Sequence, residues 1–145
     1  MKKLILSCWL VLASTTHGFA TPLSASKTAD MRIALDDLSL ALADNGYQLI
    51  KVQTIDQALV KRGYADPGIR LAFIGKEAHI QQALASNPAL LNLLPLRLTL
   101  ETDGQHVRIS SDDLTSWRER FPETNGVVQG WEDELAAILA DYANQ

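Results

Sequence analysis

The sequence predicts an α+β domain, on three observations. First, Leu96, Leu98 and Leu100 alternate with Arg97, Thr99 and Glu101, Asp103-Gly104 follows, and Val107 and Ile109 alternate on the far side. That is the pattern of a β-hairpin with one buried face. Second, Val128, Trp131, Leu135, Ile138, Leu139 and Tyr142 recur near the C-terminus at spacings that form one stripe of an amphipathic helix. Third, helical patterns and short apolar runs alternate before the hairpin, punctuated by Asn45-Gly46, Gly63 and Asn87-Pro88. The 145 residues are 47% hydrophobic and 21% charged, a globular composition that excludes collagen-like, low-complexity and wholly disordered classes.

The chain opens with a leader. Lys2 and Lys3 precede an apolar run from Leu4 to Ala13, and small or polar residues lead to Gly18-Phe19-Ala20. A basic start, a short apolar stretch and small residues before the cut make a secretory signal cleaved after Ala20, with the mature protein in the periplasm. The run falls short of the ~20 apolar residues a spanning helix needs. The alternatives are an uncleaved anchor and a lipid on Cys8. Ile5-Leu6-Ser7-Cys8 would leave a very short apolar region with bulky Leu6 in the lipid-attachment motif.

Residues 21–145 then form a single domain. Cys8 departs with the leader, which removes any disulfide framework, thiol nucleophile or thiolate metal site. Losing the two leader lysines takes the net charge from −4 to −6. Such an acidic chain has no electrostatic footprint for nucleic acid. No later segment is apolar enough to span a membrane.

Residues 21–27 read as an exposed lead-in with a short edge strand. A helix over residues 29–45 is capped near Thr28 and stopped by Asn45-Gly46, with Met31, Ala34, Leu35, Leu38, Ala41 and Leu42 on one face. Ile33 and Leu40 share the opposite face. Residues 47–53 form a strand. Thr54 and Gln57 fit a capping box at the start of a short helix over 55–62, which Gly63 ends. Asp66-Pro67-Gly68 marks a turn, residues 69–74 an inner strand, and residues 77–85 a helix ended by Asn87-Pro88. An apolar connection over 89–94 closes at Pro95. In the hairpin a two-residue loop at Asp103-Gly104 sets Leu100 opposite Val107 and Leu98 opposite Ile109. Residues 112–120 are helical, Phe121-Pro122 ends them, and the striped helix begins near Asn125.

The residues Gly46-Tyr47, Thr54-Ile55-Asp56, Ala58, Gly63, Phe73-Ile74-Gly75, Asn87-Pro88, Leu94-Pro95-Leu96-Arg97 and Asp103-Gly104 occur in an order that resembles the domain-of-unknown-function 302 family. The resemblance covers residues 28–110, and the terminal helix fits as well. It implies a two-layer α+β fold similar to the TATA-binding protein's, a curved antiparallel sheet with helices packed on one face. It carries no activity to transfer. Two departures stand out: many members read His where this chain has Gln57, and Asn-Pro where it has Lys76-Glu77.

The chemistry-bearing constellations are few. Asp56, Gln57, Lys76 and Glu77 follow strand ends at helix starts, places that line clefts in α/β folds and offer free N–H groups. The plainer reading is helix capping. Glu101 and His106 fall opposite one another in the expected hairpin, a pair suited to acid–base work or a weak metal site, or simply a solvated cross-strand pair. His79 is expected on an exposed helix face. Ser110, Ser111, Asp112 and Asp113 suit a helix cap better than a nucleophile cluster. Trp117, Trp131 and Tyr142 are read as core.

No cofactor fingerprint appears. The function reading is an exported envelope module that binds a small molecule or an envelope protein without catalysis. The alternatives are a small-substrate enzyme using cleft carboxylates and Lys76, or a weak metal-binding protein. Ile33 and Leu40, left in water by a one-sided helix, are expected to lie against a second protomer in a homodimer or against the chain's own 89–94 segment. The resembled family, which includes dimers, implies the second protomer.

Overall fold

A computed structural model describes residues 23–64 and 68–145 of the protein. The leader expected at 1–20, and Asp66-Pro67 of the expected turn, lie outside the described residues. Strands and helices follow the hydrophobic periodicity closely. In chain order they are β1 (Ser24–Thr28), α1 (Met31–Asp44), β2 (Gln48–Thr54), α2 (Asp56–Val60), β3 (Ile69–Gly75), α3 (Glu77–Ser86), β4 (Leu96–Thr102), β5 (His106–Ser111), α4 (Thr115–Arg120) and α5 (Asn125–Asn144). Short 3-10 turns cover Pro88–Leu93 and Pro122–Thr124.

The five strands form one antiparallel sheet in the order β1-β5-β4-β3-β2. Period-two alternation gives the sheet one apolar face. Ala72 and Ile74 of β3, Leu96, Leu98 and Leu100 of β4, and Val107 and Ile109 of β5 are all buried on it. Helices α1, α3 and α5 lie over that face, with Ala34, Leu38, Ala41 and Leu42 of α1 turned inward. The stripe read from α5 is buried in full: Val128, Trp131, Leu135, Ile138, Leu139 and Tyr142. This is the α+β class expected. No helix among the described residues is long and apolar enough to cross a membrane.

Several local expectations shift. Thr28 is a strand residue paired with His106, so the α1 cap falls to Asp30, whose Oδ1 accepts from Ile33 N at 2.9 Å. Thr54 is held in β2 opposite Arg70, and the cap position of α2 passes to Ile55, which has no side chain able to accept. The Thr54–Gln57 capping box is therefore not made. Gly63 does end the turn, at φ +86°, and its N–H donates to Val60 O. Helix α4 starts three residues later than expected, where Asp113 Oδ1 accepts from Thr115 N at 2.8 Å.

The hairpin forms with a different register. Leu100 faces Ile109, Leu98 faces Ser111 and Thr102 faces Val107. The turn centres on Gly104-Gln105. Asp103 Oδ1 accepts from Gln105 N and His106 N at 2.9 and 2.7 Å, and Gly104 takes φ +95°. Apolar alternation repeats every two residues, so moving a residue's partner by two keeps every side chain on its face. The pattern is equally satisfied by both registers, and the turn chooses.

Candidate functional site

Three elements converge beside the β2–β3 end of the sheet. Gly46, at φ +72°, closes α1 and turns the chain so that Tyr47 enters the core just before β2. On α3, His79 and Ala83 are four residues apart and share the inward face, and both are fully buried. From α5, Trp131 and Glu134 approach on the flank facing α3.

The His79 ring is stacked on Trp131 at 4.8 Å between centroids and meets the edge of Tyr47 at 5.1 Å. Glu134 receives three donors. Lys76 Nζ is 2.5 Å from Oε1, and the Tyr47 hydroxyl and His79 Nε2 are 2.5 and 2.7 Å from Oε2. Lys76 Nζ also lies over the Tyr47 ring at 4.9 Å. Behind them Trp131 Nε1 donates to Gln82 Oε1 at 2.7 Å.

Burial works against the Glu134 charge, yet the bonds from Lys76, Tyr47 and His79 hold its carboxyl below the ordinary range. Burial, reinforced by Glu134, pushes the Tyr47 phenol well up, so it stays a donor. Burial outweighs Glu134 at His79 and lowers its pKa, an effect Lys76 adds to, leaving the imidazole neutral. A carboxylate 2.7 Å from Nε2 requires the single ring proton there. Nδ1 is then a bare lone pair, buried and without a partner.

In front of this cluster runs a cleft of about 790 Å³. Ile50, Ile80, Leu91, Leu94 and Pro95 form its apolar wall, and Gln48, Lys76, Glu77 and His79 supply polar groups. Gly75 lies on its floor, where a Cβ would stand 3.2 Å from Ile50 Cδ1.

Of the four residues expected at helix starts, Lys76 and Glu77 belong to this cleft. Asp56 and Gln57 do not: α2 follows the other end of β2, six residues along the strand from Gln48, a separation of about 20 Å. The antiparallel pairing of β2 with β3 is what parts them. The Glu101–His106 pair also dissolves under the observed register. Glu101 faces Arg108, whose Nη2 is 2.7 Å from Oε2, and His106 leans toward Asp103. Among the described residues no group of three or more His, Cys, Asp or Glu is placed to hold a metal ion.

His79 is a further correction, buried where an exposed face was expected. Ile80 and Leu84 give α3 a second apolar face, and that one is exposed. Nothing in the sequence marks Tyr47, named only among the family-matching residues, or Glu134 as a site residue. The available signal was positional: Glu134 sits three residues beyond Trp131, on the shoulder of the stripe.

A family model described as "Domain of unknown function DUF302" matches residues 24–142. Among solved structures, an uncharacterized conserved DUF302 protein from Bacillus stearothermophilus is similar to this chain. It has a TM-score of 0.71 and 15% identity, and the match covers 82% of this chain and 97% of that one. That likeness shows the fold. No curated protein matches the chain.

Proposed function

Because the chain belongs to the DUF302 family, a family defined without an activity, we propose a function from the cleft itself: a non-catalytic binding module for a small amphiphilic molecule. The observation that carries this reading is the concavity of about 790 Å³ that leaves Ile50, Ile80 and Leu91 exposed by 59, 46 and 38% beside a mostly buried Lys76. Apolar side chains gathered in a concave surface gain about 25 cal/mol for each Å² that a ligand covers. The groups behind the wall support binding over proton transfer, because Glu134, Tyr47, His79 and Lys76 form hydrogen bonds and an ion pair with one another.

Native mass spectrometry of protein purified from its own host tests this reading. A small-molecule adduct is expected on the unmutated chain and is lost in Ile80→Asp, an exposed change that leaves the fold intact. Bare protein throughout rejects it.

The setting belongs to the same proposal. The leader pattern supports export to the periplasm with cleavage after Ala20. Ile33 and Leu40 of α1 are both exposed, which supports a homodimer that covers them.

A further inference from the structure

The apolar wall of the cleft does not end at Ile50. Leu49 packs on the core, so Ile50, the next residue, points to the opposite face of the sheet, away from α1, α3 and α5. It is the extra residue of a bulge, since pairing passes from Leu49–Ile74 to Lys51–Phe73, and its Cδ1 lies against Gly75. Ala72 and Ile74 face the core, so Leu71 and Phe73 share the outer face with Ile50. Both are half-buried, and neither belongs to the packed core. The wall therefore continues past Ile50 onto Phe73 and Leu71, and Leu71 lies about 13 Å along β3 from Gly75.

This stripe is one strand wide. Its neighbours in register are Lys51 and Gln53 on β2 and Arg97 and Thr99 on β4. Adjacent strands are about 4.8 Å apart, so the two polar borders stand about 10 Å from each other. The Arg97 guanidinium pairs with Asp112 at 2.7 Å, on the β5 side of β4 and away from Phe73. Width decides the occupant. A second copy of the chain would need about 800 Å² of surface from each partner, which three partly covered side chains do not supply. An extended alkyl chain is narrow enough to lie between the borders, and continuity with the cleft gives it an entry.

We infer that the ligand of the cleft carries a long unbranched alkyl tail, which leaves the cleft past Ile50 and lies along Phe73 and Leu71. This rests on the binding reading above. Affinity then depends on tail length beyond what the cleft itself holds. A methylene on an open stripe is covered on one side only, so each is expected to raise affinity about two-fold, half the free-energy gain of full burial.

Calorimetric titration of the full chain with alkylphosphocholines of eight, ten, twelve and fourteen carbons, each below its micelle concentration, tests the inference with the head held constant. Affinity is expected to climb through the whole series. In the double variant Leu71→Thr with Phe73→Thr the eight-carbon affinity stays and the climb from ten to fourteen carbons disappears, while Ile80→Asp weakens every length. A flat series beyond ten carbons on the unmutated chain, or a double variant that climbs like it or loses all lengths alike, overturns the tail inference and leaves the cleft as a binding site. No binding at any length overturns both. An unmutated dimer that the double variant dissociates gives the stripe to a second copy and also overturns it. Should the variant fail to fold, dodecylphosphocholine with a nitroxide at the tail end decides on the unmutated chain. Broadening of the Leu71 and Phe73 amide NMR signals is expected, and broadening confined to other residues overturns the inference.

Discussion

At the scale of single residues, Glu134 is where the fold spends most of its polar complementarity. One carboxylate accepts from Lys76, Tyr47 and His79, so its removal leaves the buried Tyr47 hydroxyl and His79 Nε2, 2.9 Å apart, with only each other and takes the counter-charge from Lys76. Glu134→Ala is expected to cost about 3 kcal/mol in urea unfolding, and Tyr47→Phe about 1 kcal/mol, since it removes one donor and strands nothing. Indistinguishable losses would show that the network is not organised around the carboxylate. The same residues set the acid response. The folded value of His79 lies below its ordinary 6.5, so the unfolded chain takes up that proton first. Its share of stability is complete above 6.5 and declines as pH falls from there toward the folded value. Glu134, held below its ordinary 4.5, acts in the same direction further down, its share fading as pH falls through the folded value. Glu132 opposes both, because burial raises its pKa. Thermal melts are expected to show the melting temperature dropping between pH 7 and 5.5, with His79→Phe flattening that interval. An unchanged slope in the variant would place the titrating group elsewhere.

Elements show how far local pattern reaches. The stripe of α5 reads directly because six apolar residues at helical spacing have one geometric solution, and all six are buried. Trp131→Ala should cost about 3–5 kcal/mol in thermal or chemical unfolding. Leu98→Asp, which puts a charge on the inner face of β4, should be at least as severe. Glu101→Ala and His106→Ala lie on the outer face and should stay within about 0.5 kcal/mol. Comparable losses in both sets would mean that the sheet faces are reversed. Helix α1 offers a finer measure: Asp30→Ala removes the acceptor for Ile33 N and should cost about 1 kcal/mol. Thr28→Ala, expected from sequence to be the damaging change, should cost less. The hairpin marks where pattern stops, because its alternation fits two registers and the Asp103 carboxylate selects one.

At the scale of the whole molecule, assembly and export are the open consequences. Ile33 and Leu40 are seven residues apart and both exposed, about 10 Å apart along α1. Sedimentation of the mature protein is expected to show a dimer that Ile33→Lys with Leu40→Lys converts to monomer. A monomer at high micromolar concentration for the unmutated chain rejects the dimer, and a dimer that survives both lysines rejects this interface. Intact mass of the exported protein should begin at Thr21, and a retained leader or a lipid on Cys8 overturns that assignment. The α+β class, the order of elements, the inner faces of β4 and β5 and the stripe of α5 were determined by the sequence alone. They follow from periodicities of two and 3.6 residues that any short window displays. The candidate site was decided only by tertiary structure. Tyr47 and Glu134 are 87 residues apart, and His79 is 32 from one and 55 from the other. Lys76 was legible as a helix-start residue, but not its carboxylate partner on α5. Gln57 looked equivalent to Lys76 and lies at the far end of the sheet. No local period encodes which strand ends share a side or which polar residue a buried histidine will meet. Those relations are set by strand direction and helix docking, where burial leaves a polar group only the partners the fold brings to it.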